Sequence, residues 1–421
     1  MRRELLVCDG DPAPLVAELR ALIPTGSSVA DGVAAIIAGV RERGDAAVLE
    51  YTQRFDTGGA PPQPLQVPGP RIQTAYEALT SDLRGGLAFA IANVQQTAAA
   101  SVHLDQVVRL PASEITVRET PVDSAAVYVP GGRAPYPSTV IMGVVTAWAA
   151  GVTEVAVCSP PGPDGEIDPV VLAACRMAGA SAVYRMGGAQ AIAALAYGTR
   201  TVHPVSVIVG PGNLWVQEAK RQVSGQVGID SFAGPSDLLV LADGGSHPEP
   251  ISLDLLAQAE HGAGTLVVGA SSSRELLAAL AERIDAAADT DAVVRLVALD
   301  GSEHQAWRLA QCFAPEHLQL IGPDAEALAP RITHAGCVFV GASAATAFGD
   351  YIAGSNHILP TGGAARFASA LSARTFRRSF TEVRITDPSH LARSAAPLAR
   401  AEGFELHARS MEARIRENGS S

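Results

Sequence analysis

Gln258 and His261 stand three residues apart in LLAQAEHGAG (255–264), so on a helix they share one face. An amide and an imidazole side by side at the end of an apolar stretch offer donors to a metal ion or a polar substrate. FAPEHLQL sets Glu316 and His317 together just before an apolar run. Histidine titrates near neutral pH and a carboxylate can activate water, so this pair suits proton transfer; taken alone, a polar surface turn is its plainer reading. Asp350, Asn356 and His357 lie in FGDYIAGSNHILPTGGAARFASALS (348–372), which has neither helical nor strand period. Long irregular segments inside compact domains usually carry function. Phe404, His407, Met411 and Ile415 fall on one face at helical spacing, where a lone histidine is ordinarily a packed core or interface residue. Together Gln258, His261, Asp350 and His407 form a mixed nitrogen and oxygen donor set that suits Zn2+ or a similar divalent ion. There is no HExxH and no compact Cys/His cluster, so on spacing alone the metal is one reading among several.

Such residues need rigid elements to hold them. From Ala125 onward, continuous apolar runs (AAVYVP, EVAVCSP, AVYRM, VSVIVGPGN, then DLLVLAD, TLVVGAS, LQLIG and CVFVG) alternate with stretches of helical period. That rhythm predicts parallel strands buried on both faces, in two α/β sheet units. Ligands of doubly wound sheets lie beyond the C-terminal ends of strands, which directs attention to the strand-to-helix turns. VYVPGGRAPYPST and VIVGPGNLW, the latter with Gly210, Gly212 and Asn213, could present backbone N–H groups to a phosphate; ordinary turn glycines explain them as well. Neither is GxGxxG, so the dinucleotide fingerprint is absent. Upstream, Ser28 is placed to cap a helix that Gly44 ends, a second helix follows, residues 56–70 form a Pro/Gly loop, and residues 71–101 carry one long helical pattern. The last 45 residues lose strand character and read as helical.

A chain of 421 residues exceeds one ordinary core, and 48% hydrophobic residues can fill more than one. The formal charge of −12, with no run of Lys or Arg, argues against nucleic acid and anionic membranes as partners. No stretch is both long and apolar enough to cross a bilayer, and the first residues lack the apolar core of a secretory signal. Cys8, Cys158, Cys175, Cys312 and Cys337 are scattered, which fits buried thiols in a reducing cytoplasm.

The motifs RGDAAVLEYTQRFD, YVPGGRAPYPST, GGAQAIAALAYGT, VGPGN, EAKR, AGPSDLLVLAD, AQAEHG, FAPEHLQL, GDYIAGSNHILPTGGAARFASALS and EGFELHARSMEAR, in this order, resemble histidinol dehydrogenases over nearly the whole chain. The resemblance implies a cytoplasmic, zinc-dependent homodimer that oxidises L-histidinol through L-histidinal to L-histidine, reducing two NAD+, in histidine biosynthesis. It implies one Zn2+ per subunit on Gln258, His261, Asp350 and His407, the last reaching across from the other subunit. Glu316 and His317 become the proton-transfer pair. Ser236, His357 and Glu402 become substrate contacts, alongside the zinc ligands and His317; Tyr128, Gln190 and Asn213 become NAD contacts.

The implied fold is α/β: two Rossmann-like parallel-sheet domains without the fingerprint, plus small N-terminal and helical C-terminal segments that exchange in a dimer. The expected divisions are an N-terminal segment (1–22), a discontinuous first domain with metal and acid/base residues (23–127 and 237–371), a second domain with NAD contacts (128–236), and a C-terminal helical segment reaching the partner (372–421). Three features depart from the family pattern: Ser355 replaces a usual proline, AATAFGD replaces a usual Thr-Pro-Glu before the Gly-Asp pair, and Asp237 replaces a usual glutamate. They leave room for another small alcohol, such as a sulfonated diol, as substrate. A non-catalytic α/β ligand-binding protein is the remote alternative, and the retained Glu316–His317 pair speaks against it.

Overall fold

The structure, a computed structural model, describes residues 2–23, 29–131, 134–231 and 236–415. Ser28, Gly132, Arg133, residues 232–235 and the NGSS tail lie outside the described residues. The chain divides into two compact units, one of residues up to 101 with 122–376, the other of residues 102–121 with those from 377 onward.

The first unit contains two parallel sheets. Its six-stranded sheet includes β1 (Arg2–Val7) at one edge, and its helix α1 (Ala13–Ala21) follows directly. Four helices come next: α2 (Ala30–Arg43), α3 (Asp45–Phe55), α4 (Gly69–Glu77) and α5 (Ser81–Ala100). Gly44 closes α2 at φ 56°, as its position predicts. The expected single helix over 71–101 is two, because Thr80 adopts an extended conformation and its hydroxyl accepts from the Leu83 N–H to start α5.

The five-stranded sheet is built from β4 (Ser124–Tyr128), β5 (Glu154–Ser159), β6 (Ala182–Arg185), β7 (Val207–Val209) and β8 (Gly228–Ile229), in the order β6-β5-β4-β7-β8. The crossovers are α6 (Pro137–Ala149), α7 (Pro169–Ala178), α8 (Gly188–Tyr197) and α9 (Leu214–Val223). Val33, Ile36, Val40 and Val48, from α2 and α3, share one core with Ala126, Ile192, Ile208 and Val216. The early helices therefore belong to this sheet, whereas residues 23–127 were expected to join 237–371. Apolar packing, which sequence order does not encode, makes that assignment.

The six-stranded sheet is completed by β9 (Asp237–Ala242), β10 (Leu266–Ser271), β11 (Val293–Ala298), β12 (His317–Ile321) and β13 (Cys337–Val340), ordered β1-β11-β10-β9-β12-β13 with every pairing parallel. Leu238 and Val240 pack with Ile251 and Leu255 of α10 (Pro248–Ala259) and Leu277 of α11 (Arg274–Asp285) on one face. Leu239 and Leu241 pack with Leu19 of α1 and Leu309 and Phe313 of α12 (Glu303–Phe313) on the other. Both faces are covered, so the strands read as unbroken apolar runs. The N-terminal segment is thus part of this sheet. Helices α13 (Pro323–Glu326) and α14 (Thr346–Tyr351) follow β12 and β13.

The second unit corrects the expectation of a helical C-terminal segment. β14 (Arg377–Ile385) pairs antiparallel with β3 (Ser113–Pro121) along its full length, and β3 pairs with β2 (Gln106–Leu110). Their sequences, SEITVRETP and RRSFTEVRI, alternate apolar residues with charges, as in the Arg118–Glu382 ion pair. Charges so dense hide a strand from a reading that looks for apolar runs. Helices α15 (Pro388–Ala401) and α16 (Glu405–Glu412) complete the unit. Among the described residues no helix is long and apolar enough to cross a membrane.

Candidate active site

Strands β9 and β12 are neighbours, and Asp237, which opens β9, interlocks with Glu316, which immediately precedes β12. The Glu316 N–H donates to Asp237 Oδ1 at 2.8 Å, and the Asp237 N–H donates back to Glu316 Oε2 at 3.0 Å. Asp237 is fully buried. Its second oxygen accepts from Arg20 Nη1 at 2.6 Å and from the Gly362 N–H at 3.0 Å. Arg20 reaches in from α1, donates to the Phe313 carbonyl and lies 4.0 Å above the Phe313 ring. The Ser236 hydroxyl donates to Glu316 Oε2, and Gln258 Nε2, on the last turn of α10, donates to Ser236 Oγ at 2.6 Å. Gln258, Ser236, Glu316 and Asp237 are therefore one connected chain of groups.

His317 is buried beside them. Its Nε2 lies 3.6 Å from Asp350 Oδ1 and its Nδ1 lies 3.8 Å from Glu316 Oε2. Nδ1 is buried and makes no hydrogen bond. Asp350 is brought close because α14 packs hard on β13: a Cβ at Gly349 would lie 2.5 Å from the Phe339 ring, so only glycine permits this approach. The His357 Nδ1 lies 2.9 Å from the Asp350 carbonyl and its Nε2 3.1 Å from Thr139 Oγ1 on α6. A carbonyl only accepts, so Nδ1 carries the proton and Nε2 accepts from Thr139. Asn356 Nδ2 donates to the Met142 carbonyl, so the SNH segment is anchored to α6 twice.

Burial pushes Glu316 up to about 7, and the Asp237 charge adds to this, while His317, Ser236 and the Asp237 N–H pull the other way. Burial, the largest single influence on His317, would lower it, but the Glu316 and Asp350 carboxylates together hold it up at about 9. Burial also opposes the ionisation of Asp350, yet His317, His357 and His261 keep its carboxyl below the ordinary value. His261 follows α10, is exposed, and acts electrostatically on Asp350 and His357. Burial keeps His357 below the usual histidine value.

The expected cofactor residues gather at turns along the C-terminal edge of the five-stranded sheet. Tyr128 ends β4, and its hydroxyl accepts from the Gly188 N–H at 3.1 Å. Gln190, in the first turn of α8, donates to Asp56 Oδ2 at 3.2 Å. Asn213 caps α9, its side-chain oxygen accepting from Trp215 and Val216. The two groups of expected site residues thus lie at opposite edges of their sheets: Ser236, Glu316 and His317 sit at the N-terminal ends of their strands, as the place of Glu316 and His317 just before an apolar run indicates. Glu402 and His407 belong to the second unit and are both exposed; the His407 ring stacks on Phe404 with centroids 4.9 Å apart. Among the described residues no three His, Cys, Asp or Glu side chains cluster as a metal site, consistent with His261 and Asp350 being the only such members of the expected ligand set in the first unit.

Sequence reasoning passed over Arg20 and Thr139, whose partners are more than two hundred residues away. Asp56, in the QRFD stretch, is a further residue that spacing does not single out; burial raises its carboxyl to about 6 beside Gln190 and Gly187.

The profile of the histidinol dehydrogenase family matches residues 24–415. A histidinol dehydrogenase of Parasynechococcus marenigrum is 44% identical over 90% of each chain, and one from Rhodospirillum rubrum is 43% identical over 99% of each. The crystal structure of histidinol dehydrogenase from Elizabethkingia anophelis superposes with a TM-score of 0.90 at 28% identity, covering 99% of this chain and 98% of that one. With its two parallel sheets and its interlocked pair on β9 and β12, the chain belongs to the histidinol dehydrogenase family.

Proposed function

We propose that this NAD-dependent oxidoreductase converts L-histidinol through L-histidinal to L-histidine in two successive hydride transfers. The balance is one alcohol, two NAD+ and one water, giving one carboxylate, two NADH and three protons. The observation that carries the reading is the buried cluster of Glu316, Ser236, Asp237 and His317 with Asp350 opposite.

In the first step His317, as the neutral imidazole, takes the hydroxyl proton; the Glu316 and Asp350 carboxylates favour its charged form, so this step gains rate as pH rises and that form loses its proton. Its Nε2 is oriented by Asp350, which leaves the unpartnered Nδ1 to receive substrate. In the second step Glu316 deprotonates a water that attacks the aldehyde. Its rise to about 7 gives it the proton affinity a base needs near neutral pH, and Ser236 with the Asp237 N–H fixes the carboxylate in place. His357 holds the 350–357 segment against α6 next to the substrate, and Ser236 lines the same cluster. Tyr128, Gln190 and Asn213 would hold NAD+, which when bound would supply the hydride acceptor.

The donor set fits zinc. Ser236 occupies the amide nitrogen side of Gln258, which leaves its oxygen as the donor, and Asp350 and His261 supply carboxylate and imidazole. In this reading one Zn2+ per subunit is held by Gln258, His261, Asp350 and His407 of the partner subunit, with Glu402 beside the substrate. Bound there, it supplies a Lewis-acidic anchor that orients the substrate nitrogens.

The homodimer is supported by the second unit's own composition. Among the described residues its buried apolar side chains are all alanines, Ala112, Ala392, Ala396, Ala399 and Ala408, with Met411 against the last three. Leu398, at 67% exposure, and Leu406, at 74%, stand open together with Phe404 and Val383. A unit with so small a core and so much bare apolar surface is one that another chain covers. A reducing, cytoplasmic setting agrees with five unpaired cysteines.

The test is NADH formation by metal-free and Zn2+-reconstituted protein, with histidinol and with a dihydroxypropane sulfonate. Zinc-dependent turnover of histidinol is expected. Faster turnover of the sulfonate, which Ser355 and Asp237 leave conceivable, would replace the substrate; full activity without metal would remove the zinc.

A further inference from the structure

The turn after β7 is gripped by an ion pair almost entirely withdrawn from water. Lys220 on α9 is 0% exposed, and its ammonium pairs with the Asp230 carboxylate, 5% exposed. Both partners hold Gly210. Lys220 Nζ donates to the Gly210 carbonyl at 2.9 Å, and the Gly210 N–H donates to Asp230 Oδ2 at 2.8 Å. The Ser231 N–H donates to the other carboxylate oxygen at 2.8 Å. Gly210 stands at φ +119°, and a Cβ there would lie 2.1 Å from the Tyr128 carbonyl oxygen. The turn is therefore pressed against the end of β4 and pinned on both sides of one residue.

The place it pins is where ligands enter such sheets. From β4 the chain winds outward through β5 and β6, then returns to lay β7 and β8 on the other side. The crevice opens between β4 and β7, at Tyr128 and Gly210. Asn213, which caps α9, is three residues past the pinned glycine.

Stability alone is a poor reason for a fully buried ion pair. Removing two charges from water costs about as much as their pairing returns, and a well-packed apolar pair of similar volume often does as well or better. What the pair does that an apolar pair cannot is orient the Gly210 N–H and carbonyl together. The turn also lacks the GxGxxG pattern that shapes a phosphate cradle in other dinucleotide folds.

We infer that Lys220 and Asp230 are positioning residues for the dinucleotide, holding the Gly210–Asn213 turn in its binding shape before the cofactor arrives. The inference rests on the reading that NAD+ binds across Tyr128, Gln190 and Asn213. Without the pair the turn must be ordered by the cofactor itself, and that ordering weakens its binding.

The test uses the full-length, zinc-loaded enzyme carrying Lys220→Met with Asp230→Leu. NADH affinity is read by fluorescence titration, together with KM for each substrate, kcat and Tm. The expected result is a folded protein whose NADH Kd and NAD+ KM rise about tenfold, with the histidinol KM and kcat at saturating NAD+ within about threefold of the parent. A folded variant with parental NADH affinity overturns the inference, as does a fall in Tm and kcat with cofactor affinity unchanged. Should the double variant fail to fold, Asp230→Asn, which keeps an acceptor for the Gly210 N–H but removes the charge, is read by the same criteria. Asn213→Ala, run in parallel, separates the two levels. If it weakens NADH and the pair variant does not, the inference falls and the cofactor site stands. If the pair variant weakens NADH and Asn213→Ala does not, the clamp stands and the Asn213 contact falls. If neither does, both fall.

Discussion

Replacing Glu316 by Gln should stall one half of the reaction and spare the other. The substitution keeps the shape of the side chain and an oxygen that can accept from Ser236 and from the Asp237 N–H, so the interlock between β9 and β12 survives. What is lost is a base. A positioned general base contributes about 10²–10⁴ in rate, equivalent to about 3–5 kcal/mol of barrier. Oxidation of supplied histidinal should therefore fall by about that factor, while the first hydride transfer from histidinol, followed by stopped-flow absorbance at one turnover, should fall by less than about tenfold. The pH profile gives a second check. The carboxylate is the active form and the group titrates at about 7, so parental aldehyde oxidation should rise with pH through neutrality. Below that value it should drop about tenfold per pH unit, and the Gln variant should lack this limb. His317→Asn should show the reverse preference and slow the alcohol step. Normal histidinal oxidation by Glu316→Gln, or survival of the acid limb in that variant, would refute the role given to Glu316.

Three further outcomes are expected, the first of them on the proposed sharing of His407 between subunits. Glu316→Ala and His407→Ala, each inactive, should regain activity when refolded together, because one site of a mixed dimer then draws an intact Glu316 from one chain and an intact His407 from the other; mass-confirmed mixed dimers without activity would exclude a shared site. Asp56→Asn should stabilise the protein at pH 8 and not at pH 4: burial raises the folded carboxyl from 3.8 to about 6, so the cost of the charge builds as pH rises between those values and is complete above the higher one, at up to about 3 kcal/mol. Urea titrations at both pH values check the sign, and a gain independent of pH would show that burial of the charge is not the cause. Arg20→Met should destabilise by about 3 kcal/mol because it leaves the buried Asp237 carboxylate without its cation, and adding Asp237→Asn should recover part of the loss; simple additivity of the two changes would mean the pair does not interact.

The strands of both parallel sheets were legible because they are buried on two faces: DLLVLAD and TLVVGAS are apolar without interruption, and they are β9 and β10. Glu316 and His317 could be picked out because two titratable residues precede such a run. Their setting could not. The reciprocal hydrogen bonds with Asp237 join residues 79 apart, the Gln190–Asp56 contact spans 134, and Arg20 meets Asp237 across 217. Spacing rules reach only a few residues along one element, so proximity created by sheet order escapes them. β14 escaped for a different reason. Its alternation is written with arginines and glutamate, and a strand exposed on both sides offers no apolar stripe to read.

That the proposed sites lie at opposite edges of the two sheets has an electrostatic consequence. In a parallel α/β layer the helices run against the strands, so helix N-termini open on the carboxyl edge and helix C-termini on the amino edge. Helices α8 and α9 begin at the edge that carries Gln190 and Asn213 and turn the positive ends of their dipoles toward the place proposed for a dinucleotide with two negative phosphates. Helices α10 and α12 end at the edge that carries Gln258 and Glu316, and they turn negative ends toward the place proposed for a metal cation and an amino alcohol. Each terminus contributes only about 0.3–1 kcal/mol to a charge near it, and salt screens the effect. The sign is nevertheless set by chain direction alone, before any side chain is chosen: on the proposed reading, the backbone favours the anionic reactant at one sheet and the cationic groups at the other.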